Sequence, residues 1–592
     1  MASELTMCLT QPQRLFYGPN LKGALNVRCR IAAKDRCSVL PILSNKRRSA
    51  NYQPTLWSYE KLLALETNLE VNTCKDNVYL LEGRVKNIIR NETNMVLLLE
   101  LIDNIQRIGL GYRFKNEIRK SLHKFMALGG LDNEATKSLH NIALGFRLLR
   151  QHGFQVSQDV FNKLKDHTGK FMGSHGADIV GLLSLYEASY LAVEGETVLD
   201  EARAFAILHL KEHEERMYGS ELGEQIGHSL EAPLHRRIEG EEARWSIDGE
   251  LRKRGGGVDE AVLELAVLDF NLVQAGLQKD LQEVCRWWND LDLASKLSFS
   301  RNRLMENFFW SAGLSPREPH YSFCRQGIAK LSQLVTTIDD VYDVFGTKQE
   351  LLLFTQSVDR WDLDRLDDLP DYMKLCFLAL YNTENGMAYK ILMEQGQVAI
   401  PYFKKAWSCL CNAFLQEAKW VHDEATPSLE EYIDNGWRSV SGACILVHAH
   451  FMLGQSVGNL RLNLEDYHEL FRWPSIIFRL CNDLATSSAE LARGETVNAI
   501  SCYMNQAGAS EEEAREHIKK KIDETWKKMN KHLADKSVSP FSEPFVETAF
   551  NLARMSHVLY QHGDSHGAPD SRSKKRVQSL ILDPISINKE AL

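Results

Sequence analysis

Apolar side chains recur at three- and four-residue spacings through most of the chain from Tyr59 onward. The segments 94–108 and 258–277 show this spacing most clearly. It places the apolar residues on one face of an α-helix, whereas a half-buried β-strand would alternate apolar and polar residues. Alternation bounded by turn residues is hardly visible. The spacing therefore predicts an all-α protein.

Chain length and one glycine-rich break predict how the chain is divided. At 592 residues it can form two or more domains with complete cores. The helical pattern stops after the charged stretch 252–254, where three consecutive glycines follow at 255–257. We therefore expect two helical domains, covering residues 47–265 and 266–592.

Charge and composition argue against several classes of protein. The net charge of −9 and the pI near 6.1 are not those of a general nucleic-acid-binding protein. No apolar run reaches 18 residues, so no membrane span is predicted. The twelve cysteines form no C-x-x-C pair, which favours buried thiols in a reducing compartment over a disulfide framework.

The first 46 residues are basic and poor in acids, with seven Lys or Arg against Glu4 and Asp35. They contain no compact apolar core followed by a small-residue cleavage site, which argues against a secretory signal. An acid-poor basic leader is typical of an organelle transit peptide, and a disordered basic tail is the alternative. The sequence predicts a transit peptide over residues 1–46.

An acidic motif, DDVYD at residues 339–343, interrupts the apolar segment 331–338. Carboxylates rarely enter such surroundings unless something pairs with them. On a helix Asp339 and Asp343 lie one turn apart and share a face. Two oxygen ligands at that spacing, with no His or Cys beside them, favour Mg²⁺.

The same spacing occurs a second time, in DDLPD at residues 367–371. This copy lies in a run of charged residues, and Pro370 would break the helix that must align its carboxylates. We therefore interpret it as a solvated loop or helix end, without a part in metal binding.

A second group of oxygen-bearing side chains follows an apolar segment at 476–481. Asn482, Thr486 and Glu490 are four residues apart, so on a helix their side chains form one stripe. Helix capping or a solvent-facing role is the alternative for this group. Together with the acidic motif, the stripe predicts a second set of metal ligands.

Three arginines lie close in sequence to these two groups. Arg301 and Arg303 precede the acidic motif, and Arg479 stands three residues before Asn482 on nearly the same helix face. Arginine binds phosphate oxygens in a bidentate manner and remains charged at any working pH. Surface ion pairs are the alternative for each arginine alone. The combination predicts a site for a diphosphate and its Mg²⁺ ions.

The order of these motifs resembles that of plant terpene synthases. Arg47 and Arg48 are followed by Trp57 in RRSANYQPTLW, and then come RNR, DDVYD and the Asn/Thr/Glu stripe. The resemblance covers the chain from Arg47 to its end. With the leader, the tandem-arginine motif resembles the plastidial monoterpene branch. It implies two α-helical domains, with a class I terpenoid synthase fold in the catalytic C-terminal domain.

The resemblance also implies a role for each motif. Three Mg²⁺ ions, replaceable by Mn²⁺, would be held by Asp339, Asp343, Asn482, Thr486 and Glu490. Asp340 would support this cluster, and Arg301, Arg303 and Arg479 would hold the diphosphate. The segment carrying Arg47, Arg48 and Trp57 would help to cover the active site. Near the C-terminus, either Tyr560 or His562 would take the terminating proton, with the departing diphosphate as an alternative base.

Three pocket residues bear on the product. Trp310 is expected in the pocket wall, with core packing as the alternative. Isoprene synthases typically narrow the pocket with two phenylalanines; Phe478 matches one position, whereas Ser332 stands at the other. A small residue there favours geranyl diphosphate as substrate and an acyclic olefin such as β-ocimene or myrcene as product. Linalool, or isoprene from dimethylallyl diphosphate, is the alternative.

Two further hypotheses remain open on the sequence alone. A non-catalytic helical scaffold would make both polar groups unrelated surface features. A chain-elongating prenyltransferase would generally carry a second aspartate-rich motif where this chain has Asn, Thr and Glu. The enzyme implied by the resemblance would be a monomer or weak dimer in the plastid stroma.

Overall fold

The structure is a computed structural model. The residues it describes are 47, 52–65, 71–134, 137–253, 257–455, 468–493, 497–534 and 539–586, without the side chains of 71–75 and 490–493. The predicted transit peptide 1–46, Arg48, the first two glycines of the predicted linker and the side chain of Glu490 therefore lie outside the described residues.

The N-terminal part of the described chain consists of α-helices joined by loops and short 3₁₀ helices. In chain order they are α1 Tyr59–Leu63, α2 Val71–Asn91, α3 Met95–Arg107, α4 Lys115–Ala127, α5 Leu139–Gln151, α6 Ile179–Ser189, α7 Thr197–Arg216, α8 Glu221–Glu231 and α9 Glu239–Arg252. Short 3₁₀ helices lie between some of them, at Gly111–Phe114, Gly130–Asp132, Gln158–Leu164, Gly173–Ala177 and Leu234–Arg236.

The C-terminal part is also helical. Its elements are α10 Glu260–Leu291, α11 Leu293–Lys296, α12 Leu304–Leu314, α13 Ser322–Asp340, α14 Lys348–Arg360, α15 Asp371–Gln395, α16 Ile400–His422, α17 Leu429–Ser439, α18 Gly442–Met452, α19 Glu469–Arg493, α20 Ala499–Ala507, α21 Glu511–Ala534, α22 Glu543–Tyr560 and α23 Ser571–Val577. Two isolated bridges are the only β-type pairing among the described residues, so the all-α prediction is confirmed.

α10 is the longest helix, and it packs against both parts of the chain. It contacts α2 of the N-terminal part as well as α12 and α13 of the C-terminal part. The predicted division at 265/266 falls inside this helix, and residues 47–592 form one compact unit. The proposed domain boundary therefore stays a prediction, and the chain passes through it as a continuous helix. No helix in the described part of the chain is long and apolar enough to cross a membrane.

Local sequence explains where the helices around the candidate site begin and end. α14 begins at a capping box, in which the Thr347 hydroxyl accepts from the Glu350 amide and the Glu350 carboxylate accepts from Thr347. α15 begins directly after Pro370 and ends at Gly396, whose φ of 69° suits a residue without Cβ. These signals fix the helices on either side of the duplicate acidic motif.

The duplicate motif is solvated, as predicted. Its first two aspartates lie in a short 3₁₀ turn, Leu366–Asp368, and its last begins α15. The side chains of Asp367 and Asp371 are fully exposed, and both lie within 4 Å of the Lys374 ammonium. This copy of the spacing is therefore a helix end that contacts water and a lysine.

Candidate active site

The first acidic motif lies where an α-helix changes into a π turn. α13 buries most of the apolar segment 331–338, as predicted, and passes at Val341 into the π turn Val341–Phe345. Asp339 is partly exposed, Asp340 is fully buried and Asp343 is exposed. π turns inside α-helices are frequent at functional sites because they change which side chains share a face.

Arg301 is the electrostatic partner of this motif. Its guanidinium lies 2.5 Å from an Asp339 oxygen and 2.8 Å from an Asp340 oxygen, and its main-chain N–H donates to Asp340 at 2.6 Å. Burial raises the pKa of Asp340, although Arg301 opposes the shift. Burial would lower the pKa of Arg301, but the charges of Asp340 and Asp339 and the Tyr52 hydroxyl raise it well above its usual range. Removing one partner of such a buried pair costs about 3–5 kcal/mol.

The second predicted stripe lies on α19. Arg479 donates to the Asn482 side chain and, at 2.7 Å, to Asp483, which is fully buried and also accepts from the Tyr432 hydroxyl. Thr486 lies one turn further along, with its hydroxyl donating to the Asn482 carbonyl at 2.9 Å. The Glu490 side chain lies outside the described residues. The prediction of one stripe beside an arginine is thus met for Asn482 and Thr486.

A close helix approach makes room for Arg479. A Cβ atom added to Gly436 of α17 would lie 2.9 Å from the Arg479 Cγ. A side chain at this position would therefore push the arginine away from Asn482 and Asp483. The lack of space explains the glycine at 436. Its backbone conformation does not, because it is that of an ordinary helix.

Tyr560 connects the two polar groups. Burial raises the pKa of its hydroxyl, which lies near the Asn482 side chain and close enough to Arg479 and Arg301 for their charges to lower this pKa slightly. Arg301, which pairs with the acidic motif, and Arg479, which contacts Asn482 of the stripe, are therefore near the same side chain. The phenol therefore stays protonated near neutral pH, and the role of Tyr560 as terminating base stays a prediction.

Glu417 on α16 was not found from the sequence. Its carboxylate accepts from Ser439 at 2.6 Å and lies within electrostatic range of Arg479, Asp339 and Asp483. Burial raises the pKa of Glu417 to about 7, and the two aspartates add to this shift while Arg479 opposes it. No motif surrounds Glu417 in the sequence, so only the packing of α16 beside α17 could show it.

The donors present fit Mg²⁺. All candidate ligands are oxygens, which Mg²⁺ prefers, and the carboxylate of Glu417 lies close enough to Asp339 and Asp483 for their charges to add to the rise in its pKa that burial causes. No group of three His, Cys, Asp or Glu side chains converges as a metal cage within the described ranges. In proteins Mg²⁺ is usually held by one or two carboxylates, with waters and substrate phosphate oxygens completing its shell.

A row of aromatic side chains lies next to the polar groups. Phe478 lies between two of them, with ring centroids 4.7 Å from Trp310 and 6.1 Å from Tyr560. Ser332 on α13 is buried. Within the described part of the chain, the Ser332 hydroxyl and the Trp310 indole N–H have no hydrogen-bond partner. Buried polar groups without partners are expected where a ligand or water supplies the contact.

The segment before α1 packs against this region. Arg47 contacts Glu350 of α14 and donates to the Phe345 carbonyl at the end of the π turn, both within 3.0 Å. The Tyr52 ring lies 4.9 Å from the Arg301 guanidinium, and the Trp57 indole donates to Glu306 at 3.1 Å. Residues 47 and 52–58 therefore cover the start of α12 and the acidic motif.

The loop after α22 places the histidines differently from the sequence prediction. The His562 side chain is one-third exposed, and its Nε2 lies 3.0 Å from a Glu231 oxygen of α8. His566 instead approaches the candidate site, with Nε2 3.0 Å from the Asn307 amide oxygen. Burial lowers the pKa of His566 to about 4, with Arg301 adding to the shift, so this imidazole is neutral near pH 7.

Arg303 is buried among main-chain carbonyls. Its guanidinium donates to Gln53, His566 and Gly567, and no part of the side chain is exposed. It differs in this from Arg301 and Arg479, which contact the two groups of candidate metal ligands. The predicted contact of Arg303 with diphosphate stays a prediction.

Comparison with known proteins identifies the family. The model of the terpene synthase N-terminal domain matches residues 56–230, and that of the terpene synthase family metal-binding domain matches 289–528. Isoprene synthase, chloroplastic, of Populus tremuloides is 50% identical over 99% of both chains. Myrcene synthase, chloroplastic, of Quercus ilex is 46% identical, over 95% of this chain and 93% of its own.

A solved structure adds the metal and a ligand for one relative. Isoprene synthase from Populus x canescens, in complex with three Mg²⁺ ions and dimethylallyl-S-thiolodiphosphate, superposes with a TM-score of 0.83 at 51% identity. The match covers 90% of this chain and 99% of the poplar one. This chain therefore belongs to the terpene synthase family of Mg²⁺-dependent enzymes, which form terpenes from prenyl diphosphates.

Proposed function

We propose that the protein ionises geranyl diphosphate and releases an acyclic monoterpene such as β-ocimene or myrcene. The observation that carries this proposal is the buried Ser332 of α13, which lies seven residues before Asp339 on the same helix. A serine leaves space that a phenylalanine would fill, and its unpartnered hydroxyl marks a surface that a ligand can contact. A ten-carbon chain needs more of this space than a five-carbon chain.

Different residues of the chain would bind the metal ions and the diphosphate. Asp339 and Asp343 would hold Mg²⁺ on one side, and Asn482 and Thr486, with Glu490, on the other. When bound, the Mg²⁺ ions stabilise the negative charge of the departing diphosphate. Arg301 and Arg479 add fixed positive charge at the same end, since both are anchored by buried aspartates.

The aromatic wall contacts the allylic cation, which is the other product of ionisation. The faces of Trp310, Phe478 and Tyr560 stabilise an allylic cation through their negative quadrupoles. Covering segments exclude water until a proton is lost. His566 is neutral and stands closer to this region than His562, so we infer that any protein base is His566, with departing diphosphate as the alternative.

Isoprene formation from dimethylallyl diphosphate is the second candidate. The 50% identity to poplar isoprene synthase and the matching Phe478 favour it. Linalool would result if water reached the geranyl cation. Purified protein should be supplied with each diphosphate and Mg²⁺, and the volatiles separated by gas chromatography. A higher kcat/KM with dimethylallyl diphosphate and a dominant five-carbon product would overturn the monoterpene proposal.

We also propose that the protein is a monomer or weak dimer in the plastid stroma. The names of two relatives that match over more than 90% of their length include the word chloroplastic, and together with the basic leader they support a location in the plastid. Organelle fractionation tests the location, and light scattering during size-exclusion chromatography tests the oligomeric state.

A further inference from the structure

The guanidinium of Arg303 has little capacity left for a ligand. Its Nε donates to the His566 carbonyl at 3.1 Å, one Nη donates to the carbonyls of Gln53 and Gly567 at 2.9 Å each, and the other donates to the Asn302 carbonyl at 3.3 Å. Four of the donors of the planar fork thus point to main-chain oxygens. Oxygens so arranged replace the water that a buried charge loses.

These carbonyls belong to two segments that are distant in sequence. We call Tyr52–Ser58 the N-terminal strap and Gln561–Asp570 the C-terminal loop. The strap contributes the Gln53 carbonyl, and the loop contributes the carbonyls of His566 and Gly567. Arg303 itself is the residue that immediately precedes α12. A single buried side chain therefore joins both segments to the beginning of one helix.

The next turn of α12 repeats this double attachment. Glu306, also buried, accepts from the Trp57 indole of the strap at 3.1 Å. Asn307 lies 3.0 Å from the His566 imidazole of the loop. The strap and the loop are thus each held twice, at neighbouring positions of the same helix. These contacts anchor both covering segments to the beginning of α12.

Arg301 shows the contrast within the same tripeptide. Its guanidinium contacts the carboxylates of Asp339 and Asp340, which border the candidate metal site. Arg303 contacts no carboxylate within 4 Å among the described residues. Of the nearby acidic groups, Glu306 raises the pKa of Arg303 most. The two arginines are therefore equipped for different tasks.

We propose that Arg303 is a positioning residue that holds the N-terminal strap and the C-terminal loop together over the pocket, and that it does not bind the diphosphate. The proposal rests on the proposed function, in which the covered pocket must keep water from a carbocation. Lysine cannot replace it, since one ammonium cannot reach carbonyls arranged around a planar fork.

The test compares Arg303→Lys with Arg479→Lys in the full chain. Hydrogen exchange, measured without metal or substrate, should become about tenfold faster in peptides covering both 52–58 and 561–570 in Arg303→Lys. Exchange in α22 should stay unchanged and reports that the core is folded. Inhibition by inorganic pyrophosphate with Mg²⁺ should be within about twofold of the parent in Arg303→Lys, and about tenfold weaker in Arg479→Lys.

Product partition provides the third readout. With the covering segments loosened, the ratio of allylic alcohol to olefin should rise at least about threefold in Arg303→Lys, because water then reaches the cation. Trp57→Phe, which removes the indole N–H donated to Glu306 together with part of the ring, should shift this ratio and the strap exchange in the same direction. It carries the test if Arg303→Lys does not fold.

Unchanged exchange in both segments, or pyrophosphate inhibition weakened as strongly as in Arg479→Lys, would overturn the proposal. Exchange and pyrophosphate inhibition need no turnover. If the substrate assigned under the proposed function is wrong, the products from geranyl diphosphate change while these two readouts still decide the role of Arg303.

Discussion

The Arg301 guanidinium lies 2.5 Å from the Asp339 carboxylate, so a predicted diphosphate-binding arginine contacts a predicted metal ligand. In the proposed site the Asp339 carboxylate would hold Mg²⁺ and the Arg301 guanidinium would contact phosphate oxygens, so both groups would exchange this contact for a ligand. The pair therefore keeps two oppositely charged groups of the site compensated before binding. Asp340, fully buried beside them, retains Arg301 near the site throughout.

Asp339→Ala should lower kcat by at least about a thousandfold, because it removes a ligand on which the leaving-group charge depends. Asp367→Ala in the duplicate motif should change kcat by less than about twofold, since its carboxylate is fully exposed. Turnover is measured by product formation at saturating Mg²⁺. Similar losses in the two variants would show that the motifs were assigned wrongly.

Glu417 should make the metal-free protein less stable as pH rises from 5 to 8. Its pKa is raised from 4.5 to about 7 in the folded state, so the folded protein binds the proton more tightly than the unfolded chain. That contribution is present below pH 4.5 and is lost as pH passes 7. Melting temperatures with a chelator present measure the effect.

Glu417→Gln is the matched control for this pH dependence. It keeps the shape and an acceptor for Ser439 but cannot ionise, so its melting temperature should fall less over the same pH range. A slope identical to that of the parent protein would place the titrating group elsewhere.

Ser332→Phe should reduce kcat/KM for geranyl diphosphate by at least about tenfold, because an aromatic ring would occupy space at the pocket wall. The value for dimethylallyl diphosphate should fall less or rise. Ser332→Ala controls for loss of the hydroxyl and should keep the ten-carbon preference. Equal kcat/KM ratios for the Phe variant and the parent would remove Ser332 from the determinants of chain length.

His562→Gln should leave kcat within about twofold, since the imidazole contacts Glu231 at the surface and exposed pairs contribute little. His566→Gln should lower olefin formation and change the product ratio. Initial rates and gas chromatography of the same samples measure both. A large loss for His562→Gln with none for His566→Gln would restore the assignment made from the sequence.

The parts predictable from sequence are those set by local spacing. Arg479 and Asn482 are separated by about one turn of α19, so helix geometry alone places them together. Asp339 lies in the last turn of α13 and Asp343 in the π turn that follows, which α-helical spacing did not predict. The apolar setting of one acidic motif and Pro370 in the other distinguished the two copies. The all-α architecture follows from the same periodicity.

Long-range partners were beyond such reasoning. Arg303 is the last residue of the RNR motif, yet its carbonyl partners Gln53 and Gly567 lie 250 and 264 residues away. Glu417 stands in no motif, and the contact of His562 with Glu231 spans 331 residues. Each depends on how helices pack, which sequence spacing does not encode.

The contact of Arg47 with the Phe345 carbonyl and Glu350 has a practical consequence for how the enzyme is produced. A recombinant chain that starts beyond residue 47 would lack a group that touches the turn bearing Asp343. A bulky affinity tag fused directly before Arg47 would crowd the same place. Catalytic comparisons between preparations are therefore meaningful only when their first residues match.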